Sequence, residues 1–352
     1  MLTIKTKIWH VDKDVDGQNP IIVEIGDRLR RGEVIAFPTE TVYGLGANAF
    51  DSDAVRKIFE AKGRPSDNPL IVHIAALEQL DELVTHVDEK SRLLMERFWP
   101  GPLTILFPRK GKISELVTSL PTVAIRMPDH PIALAIIKAA QIPIAAPSAN
   151  RSGKPSPTKA EHVWQDLKGK IDGIVDGGST GYGVESTVID LSGDRPVVLR
   201  PGGITLEQLQ AVIGEVEIDP ALLQKEDRPK APGMKYAHYA PDAEMWLIQG
   251  EEEKVIQEIN RIAKEKLDEG KKVGILTTKE HKDQFQQAAH KVLAYGRRDD
   301  LAPLAQNIYD ALRQFDQEKI DFILTESFPE TGIGLAIMNR LKKAAGGNIL
   351  KV

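Results

Sequence analysis

The sequence predicts an α/β protein of two domains, and three observations carry that reading. Short aliphatic runs, such as EVIAF at 33–37 and LIVHI at 70–74, alternate with stretches whose apolar residues recur at helical spacing. Alternation of this kind implies a parallel or mostly parallel sheet. The chain has 352 residues, and single hydrophobic cores usually stop growing near ~250–300 residues. Between 217 and 243 the periodicity fails in a run rich in Asp, Pro and Lys, which reads as a linker between domains at 1–216 and 244–352.

In the first domain, EVIAF is a buried strand that enters the polar turn PTETVYGLG. Asp51 starts a helix in which Ala54, Val55, Ile58 and Phe59 share a face, and Gly63-Arg64-Pro65 stops it. LIVHI and LTILF (103–107) are strands, with helices around 77–84 and 90–98 between them. VAIRM (123–127) is a strand, 131–140 a helix, and Pro143–Ala146 a short strand running into Pro147-Ser-Ala-Asn150. Thr158 and Glu161 have capping-box spacing and open another helix. TVIDL (187–191) and VVLR (197–200) form a hairpin, and Thr205 with Gln208 caps one more helix. In the second domain, strands at 245–249, 273–277, 291–294 and 320–325 alternate with helices at 252–269, 280–290, 301–315 and 334–345, a small doubly wound unit.

Composition narrows the function classes. With 41% apolar and 28% charged residues the chain is globular rather than disordered. Its net charge of −5 lacks the overall basic footprint of a dedicated nucleic-acid binder. The absence of cysteine excludes disulfides, thiolate zinc sites and a cysteine nucleophile. The opening MLTIKTKIWHVDKDVDG has no apolar signal core. The most apolar stretch, Ile132–Ile137, is far short of the ~20 residues of a membrane helix. The expected location is the cytoplasm, which a cysteine-free chain suits.

Four polar clusters fall where strands end, the places where open α/β sheets bind ligands. The first is Pro38-Thr-Glu-Thr-Val-Tyr-Gly-Leu-Gly46, whose glycines allow close backbone approach; the alternative is an ordinary turn capping a helix. The second, Lys62-Gly-Arg64 with Ser66 and Asn68, offers a point charge and a fork for phosphate, or merely cations favoured by a helix C-terminus. His73 follows on LIVHI, where a core histidine is the commoner outcome. The third joins Arg126 to Ser148, Asn150, Arg151, Lys154 and Ser156. Arg126 faces solvent, or else it is interior and needs an anionic partner. The fourth is Asp176 to Thr187, rich in Gly, Ser and Thr, followed by Arg200. Together Lys62, Arg64, Arg126, Lys154 and Arg200 imply a polyanionic ligand such as a nucleotide. No His/carboxylate set has metal-ligand spacing, so no metal is expected on protein side chains, and magnesium carried on phosphates is expected instead.

At this point FPTETVYGLG, the K-x-R of Lys62 to Arg64, the S-x-N of Ser148 to Asn150, GVESTV and the later PGMKYAHYAP resemble the threonylcarbamoyl-adenylate synthases of the YrdC type, in their two-domain form. The resemblance implies a twisted mixed-sheet domain with a basic concave site, followed by a smaller Rossmann-like parallel domain. It implies synthesis of threonylcarbamoyl-adenylate from L-threonine, bicarbonate or CO2, and Mg-ATP, with release of pyrophosphate. A separate transferase complex would place the group on tRNAs reading codons that begin with A.

The resemblance also implies roles. Thr41, His73, Arg126, the Ala146 backbone and Ser186 would hold threonine, with Arg126 on its carboxylate. Lys62, Arg64, Asn68, Thr122, Ser148, Asn150, Ser156 and Arg200 would hold ATP; Lys62, Arg64, Ser148 and Asn150 would act most directly on its phosphates. PGMKYAHYAP would fold over the site as a lid, with Lys235, Tyr236, His238 and Tyr239 on ATP or pyrophosphate. The competing class is a module that binds double-stranded RNA or tRNA, against which the negative charge counts. A related carbamoyltransferase is excluded because that class carries cysteine zinc fingers.

Overall fold

The computed structural model describes residues 4–222, 239–285 and 287–352. They form two compact units, one of residues 4–152 with 156–222, the other of 153–155 with the chain from 239 onward.

In the first unit the strands are β1 (Lys7–His10), β2 (Ile35–Phe37), β3 (Gly44–Asn48), β4 (Ile71–His73), β5 (Leu103–Pro108), β6 (Thr122–Arg126), β7 (Ile144–Ala145), β8 (Gly173–Asp176), β9 (Thr187–Asp190), β10 (Val197–Arg200) and β11 (Glu217–Ile218). The helices are α1 (Pro20–Arg30), α2 (Ser52–Lys62), α3 (Leu80–Leu83), α4 (Glu89–Phe98), α5 (Pro131–Ala140), α6 (Ala160–Leu167) and α7 (Leu206–Ile213). The strands join one mixed sheet, in the order β1-β8-β2-β3-β7-β4-β6-β5-β9-β10-β11. β4 pairs parallel with β6, whereas β3 runs antiparallel to both β2 and β7.

Both faces of the sheet are covered, which is why the stretch 34–37 is apolar throughout instead of alternating. Val34 and Ala36 face a core shared with Val55 and Ile58 of α2, Leu94 of α4 and Val163 of α6. Ile35 and Phe37 face a second core built by Ile22, Ile25 and Leu29 of α1 and Ile132, Ile136 and Ile137 of α5. Asp51 caps α2 as expected, accepting from the amides of Asp53 and Ala54 at 2.9 and 3.2 Å, and Gly63 ends the helix at φ 61°. Thr205 and Gln208 form a complete capping box on α7. The box expected at Thr158 does not form: α6 begins later, at Ala160, and the Thr158 amide donates instead to His162 Nδ1 at 3.2 Å.

In the first unit β1, β3, β8, β11 and α1 escaped the sequence reading; β3 lies largely in the stretch read as a polar turn and β11 in the stretch read as a linker. β1 and β8 have four residues each, too few to show a period. α1 contains Gly26, a helix breaker in isolation; here a Cβ would lie 2.7 Å from the Ala139 and Ala140 backbone, so the glycine permits α1 to pack closely on α5. Gly46 also serves packing. A Cβ there would sit 2.6 Å from the Phe37 ring, so its close approach is to the protein's own core rather than to a ligand.

The second unit contains β12 (Glu244–Gln249), β13 (Val273–Thr277), β14 (Lys291–Ala294), β15 (Phe322–Glu326) and β16 (Ile349–Lys351), with α8 (Glu252–Asp268), α9 (Lys282–Phe285), α10 (Ala302–Gln317) and α11 (Ile333–Ala344). The sheet is wholly parallel, in the order β14-β13-β15-β12-β16. β16 was not anticipated, and the helix expected over 280–290 shrinks to one turn. The chain leaves β13 and β15 toward opposite edges, so their carboxyl ends flank the point where such sheets take ligands. Side chains fill that point here. Buried Glu326 accepts from Thr277 Oγ1 (2.5 Å), the Thr278 amide (3.1 Å) and Arg298 Nη1 (2.6 Å), and pairs with His281 Nδ1 (2.9 Å). Among the described residues no helix is long and apolar enough to cross a membrane.

Candidate active site

Arg126 is the centre of the first group of the site. It ends β6 in register with His73 of β4 and is only 3% exposed, so the interior alternative holds. Nε donates to the Gly101 carbonyl at 3.3 Å and Nη1 to Thr41 Oγ1 at 2.9 Å. Thr39 Oγ1 spends its proton on the Val42 carbonyl at 2.7 Å, so Thr41 is the donor in the 2.8 Å bond between the two hydroxyls. Thr41 therefore offers lone pairs to Arg126. The third nitrogen, Nη2, faces the buried carboxylate of Glu40 as an ion pair.

His73 lies beside this group, with its Nδ1 3.3 Å from the Ile71 carbonyl and its ring edge-on to Phe37. Burial, then the Arg126 charge, pushes its pKa down to about 3, so the ring is neutral near pH 7. His130 is also held low, at about 4, by burial and then by Lys13. The consequence for stability has a definite sign. Below the unfolded value of about 6.5 the unfolded chain takes up protons that the folded rings refuse, so stability falls with pH at up to ~1.4 kcal/mol per pH unit per ring. Denaturant unfolding at pH 7 and 5 should show a loss of about 2–4 kcal/mol, and His73→Asn should roughly halve it, leaving the His130 share. Equal stability at both pH values would show that these rings are not held neutral.

A second group surrounds the β9–β10 hairpin. Arg200 donates through Nε and Nη2 to the Ser186 carbonyl, at 3.0 and 2.9 Å, and through Nη2 to Ser186 Oγ at 3.0 Å. Ser186 Oγ also lies 2.7 Å from Thr104 Oγ1. Ser156 donates to Glu185 at 2.5 Å, one residue before Ser186. Ser186 and Arg200, assigned to different ligands from the sequence, are thus direct partners.

A third group is the loop after β7. Lys62 is 2% exposed, and its ammonium donates to the carbonyls of Ser148 and Asn150. Ser148 Oγ donates to Asn150 Oδ1 at 2.6 Å. The Ala149 amide reaches the Tyr43 carbonyl at 2.8 Å, which ties this loop to the one bearing Thr41. Arg64 donates to the Asn68 and Pro69 carbonyls at 3.3 and 3.1 Å. The Ala146 amide donates to the Ile71 carbonyl at 2.9 Å, on the strand of His73. Thr122 stands at the far end of β6, four residues and so about 13 Å from Arg126.

A family model described as telomere recombination, spanning Sua5, YciO and YrdC, matches residues 27–202. A second, described as the threonylcarbamoyl-AMP synthase C-terminal domain, matches 204–346. The chain belongs to the Sua5/YciO/YrdC family. Among similar proteins, one named threonylcarbamoyl-AMP synthase from Bacillus subtilis is 56% identical over 99% of this chain and 100% of its own length. One of the same name from Pyrococcus abyssi is 52% identical over 92% of this chain and 94% of its own. The crystal structure of P. abyssi Sua5 complexed with L-threonine matches with a TM-score of 0.93 at 49% identity, over 99% of this chain and 100% of that one.

In this Sua5/YciO/YrdC member the linker residues divide. Lys235, Tyr236 and His238 lie outside the described residues. Tyr239 belongs to the second unit, at φ 65°, stacked on Tyr309 with centroids 5.2 Å apart and 5.6 Å from the Arg340 guanidinium. Lys154 also belongs there, paired with Asp242 at 2.5 Å and Asp316 at 3.2 Å. Sequence reasoning gave no role to Glu40, Thr39, Thr104 or Glu185. The available signal was indirect: an interior arginine demands an anion, but spacing cannot say which carboxylate the fold delivers. Among the described residues no three His, Asp or Glu side chains lie together as a metal site.

Proposed function

We propose that this protein is a threonylcarbamoyl-AMP synthase that joins L-threonine, bicarbonate or CO2 and ATP, and releases pyrophosphate. The observation that carries the reading is the buried guanidinium of Arg126, framed by Thr41, Glu40 and neutral His73. It suits an amino-acid carboxylate, and the loop that bears its partner Thr41 is tied to the Lys62–Ser148–Asn150 group, which suits phosphate. The names of the relatives and the threonine complex of P. abyssi Sua5 support the same assignment.

The threonine ammonium first gives up a proton, and the free amine then adds to CO2 and loses a second proton, giving a carbamate. A carbamate oxygen attacks the α-phosphorus, and the bond to the β,γ-diphosphate breaks. Such displacement needs alignment and charge neutralisation rather than a protein nucleophile. Arg126, Thr41, His73, Ala146 and Ser186 hold threonine; Lys62, Arg64, Asn68, Ser148, Asn150, Ser156 and Arg200 hold ATP, with Thr122 at its outer end. Magnesium enters as the counter-ion of ATP. The enzyme acts in the cytoplasm, and its product passes to a tRNA threonylcarbamoyl transferase complex.

The test is incubation with ATP, threonine and labelled bicarbonate, omitting each in turn. Pyrophosphate release should require all three, and mass spectrometry should find the labelled adenylate. Release that persists without threonine would sink the reading.

A further inference from the structure

Among the described residues Glu40 is the one carboxylate ion-paired with Arg126, and the reaction scheme above gives it no task. It is 8% exposed. Oε2 lies at ion-pair distance from Arg126 Nη2, yet among the described residues neither Glu40 oxygen, nor Nη2, has an aligned hydrogen-bond partner. Buried carboxylates normally accept several such bonds. The other two guanidinium nitrogens are committed to Gly101 and Thr41. The Glu40 backbone is fixed, its carbonyl accepting the amides of Gly181 and Tyr182 at 3.0 and 2.8 Å. The carboxylate therefore sits in a rigid frame with its lone pairs unspent.

Its charge is also not fully quenched by Arg126. The Asp129 carboxyl is held above its ordinary range by burial and then by Glu40. The Tyr182 hydroxyl is raised by burial, then Glu40, then Asp129. Negative potential thus extends from Glu40 toward these two groups.

An α-amino acid arrives as a zwitterion. If Arg126 takes its carboxylate, one guanidinium faces two carboxylates, and one positive charge is missing. The substrate's ammonium supplies it. We propose that Glu40 is the counter-ion of the threonine ammonium, so that Arg126 and Glu40 together read the zwitterion head to tail. The inference rests on the threonine reading above and adds a specificity-determining residue to it.

The test is calorimetric titration of the full-length protein, without ATP, using L-threonine and 2,3-dihydroxybutanoate, in which a hydroxyl replaces the ammonium. Wild type should prefer threonine by about 10- to 100-fold, the range expected for a charge-assisted hydrogen bond. Glu40→Gln keeps the shape and removes the charge. It should erase most of that preference, weakening threonine and leaving the analogue as tight or tighter, because Arg126 is then free for a carboxylate. Glu40→Asp keeps the charge with a shorter reach and should retain part of the preference. A Glu40→Gln protein with the wild-type preference overturns the inference, and so does a Glu40→Asp protein less selective than Glu40→Gln, because that order marks a role of shape alone. Thermal melts report folding. Should Glu40→Gln not fold, Glu40→Asp decides: preference kept supports the inference, preference lost overturns it. Wild type that binds no threonine fails earlier, and takes down the substrate reading itself.

Discussion

Arg126→Ala should raise the threonine concentration needed for pyrophosphate release by about 10³-fold or more, while the ATP requirement moves only a few-fold. The size follows from the geometry. The guanidinium is buried, its Nε and Nη1 are held by Gly101 and Thr41, and its Nη2 is ion-paired with Glu40, the side on which the proposed reading puts the threonine carboxylate. A charge-assisted contact of a buried arginine with a carboxylate is worth several kcal/mol when one partner is deleted, about 3–5 kcal/mol for buried pairs. The same deletion leaves Glu40 buried without its cation, so stability should drop by a comparable ~3–5 kcal/mol. Arg126→Lys separates the two effects: it restores charge but not the planar fork, so it should recover stability better than threonine affinity. Steady-state titrations in each substrate, beside denaturant unfolding, measure both. An equal rise in the two requirements would falsify the carboxylate role.

Lys62→Ala should cost about 10²- to 10³-fold in turnover and also about 2–3 kcal/mol of stability. The sequence alone suggests a fold-neutral loss, a phosphate-binding charge at a helix end. The structure says otherwise. Lys62 closes α2, is almost fully buried, and staples the carbonyls of Ser148 and Asn150. Removing it takes a charged donor from both carbonyls, one buried and one part-buried, and frees the loop whose hydroxyl and amide are expected on phosphate. Lys62→Met, which keeps the apolar stem, should be as inactive and similarly destabilised. If Lys62→Ala melts like wild type yet is inactive, the ammonium acts on phosphate alone and the staple carries no stability.

The fold was legible wherever the chain repeats a period long enough to read. α2, α5, α7, α8, α10 and α11, and the strands β4, β5, β6 and β13, were visible from periodicity and capping residues. β1, β8 and β16 were not, because three or four residues show no period and hydrogen bonds to distant strands hold them. α1 was hidden by Gly26, whose helical conformation is favoured only by the close packing of α5. The capping signal at Thr158 misled because His162 Nδ1, brought round by the helix itself, took the amide that a capping box would have used.

The site divides in the same way. By itself the sequence showed which residue types gather at strand ends: cations, hydroxyls and amides. Local order is enough for that, because ligand-facing residues cluster in the loops that follow strands. Only the tertiary structure decided the pairings. It put Glu40 against Arg126 across 86 residues, Lys62 under Ser148 and Asn150, and Arg200 on Ser186. It also set His73 in a dry strand where burial and the Arg126 charge keep it neutral. These depend on which strands lie side by side, and strand order is a property of the whole sheet that no short stretch of sequence encodes.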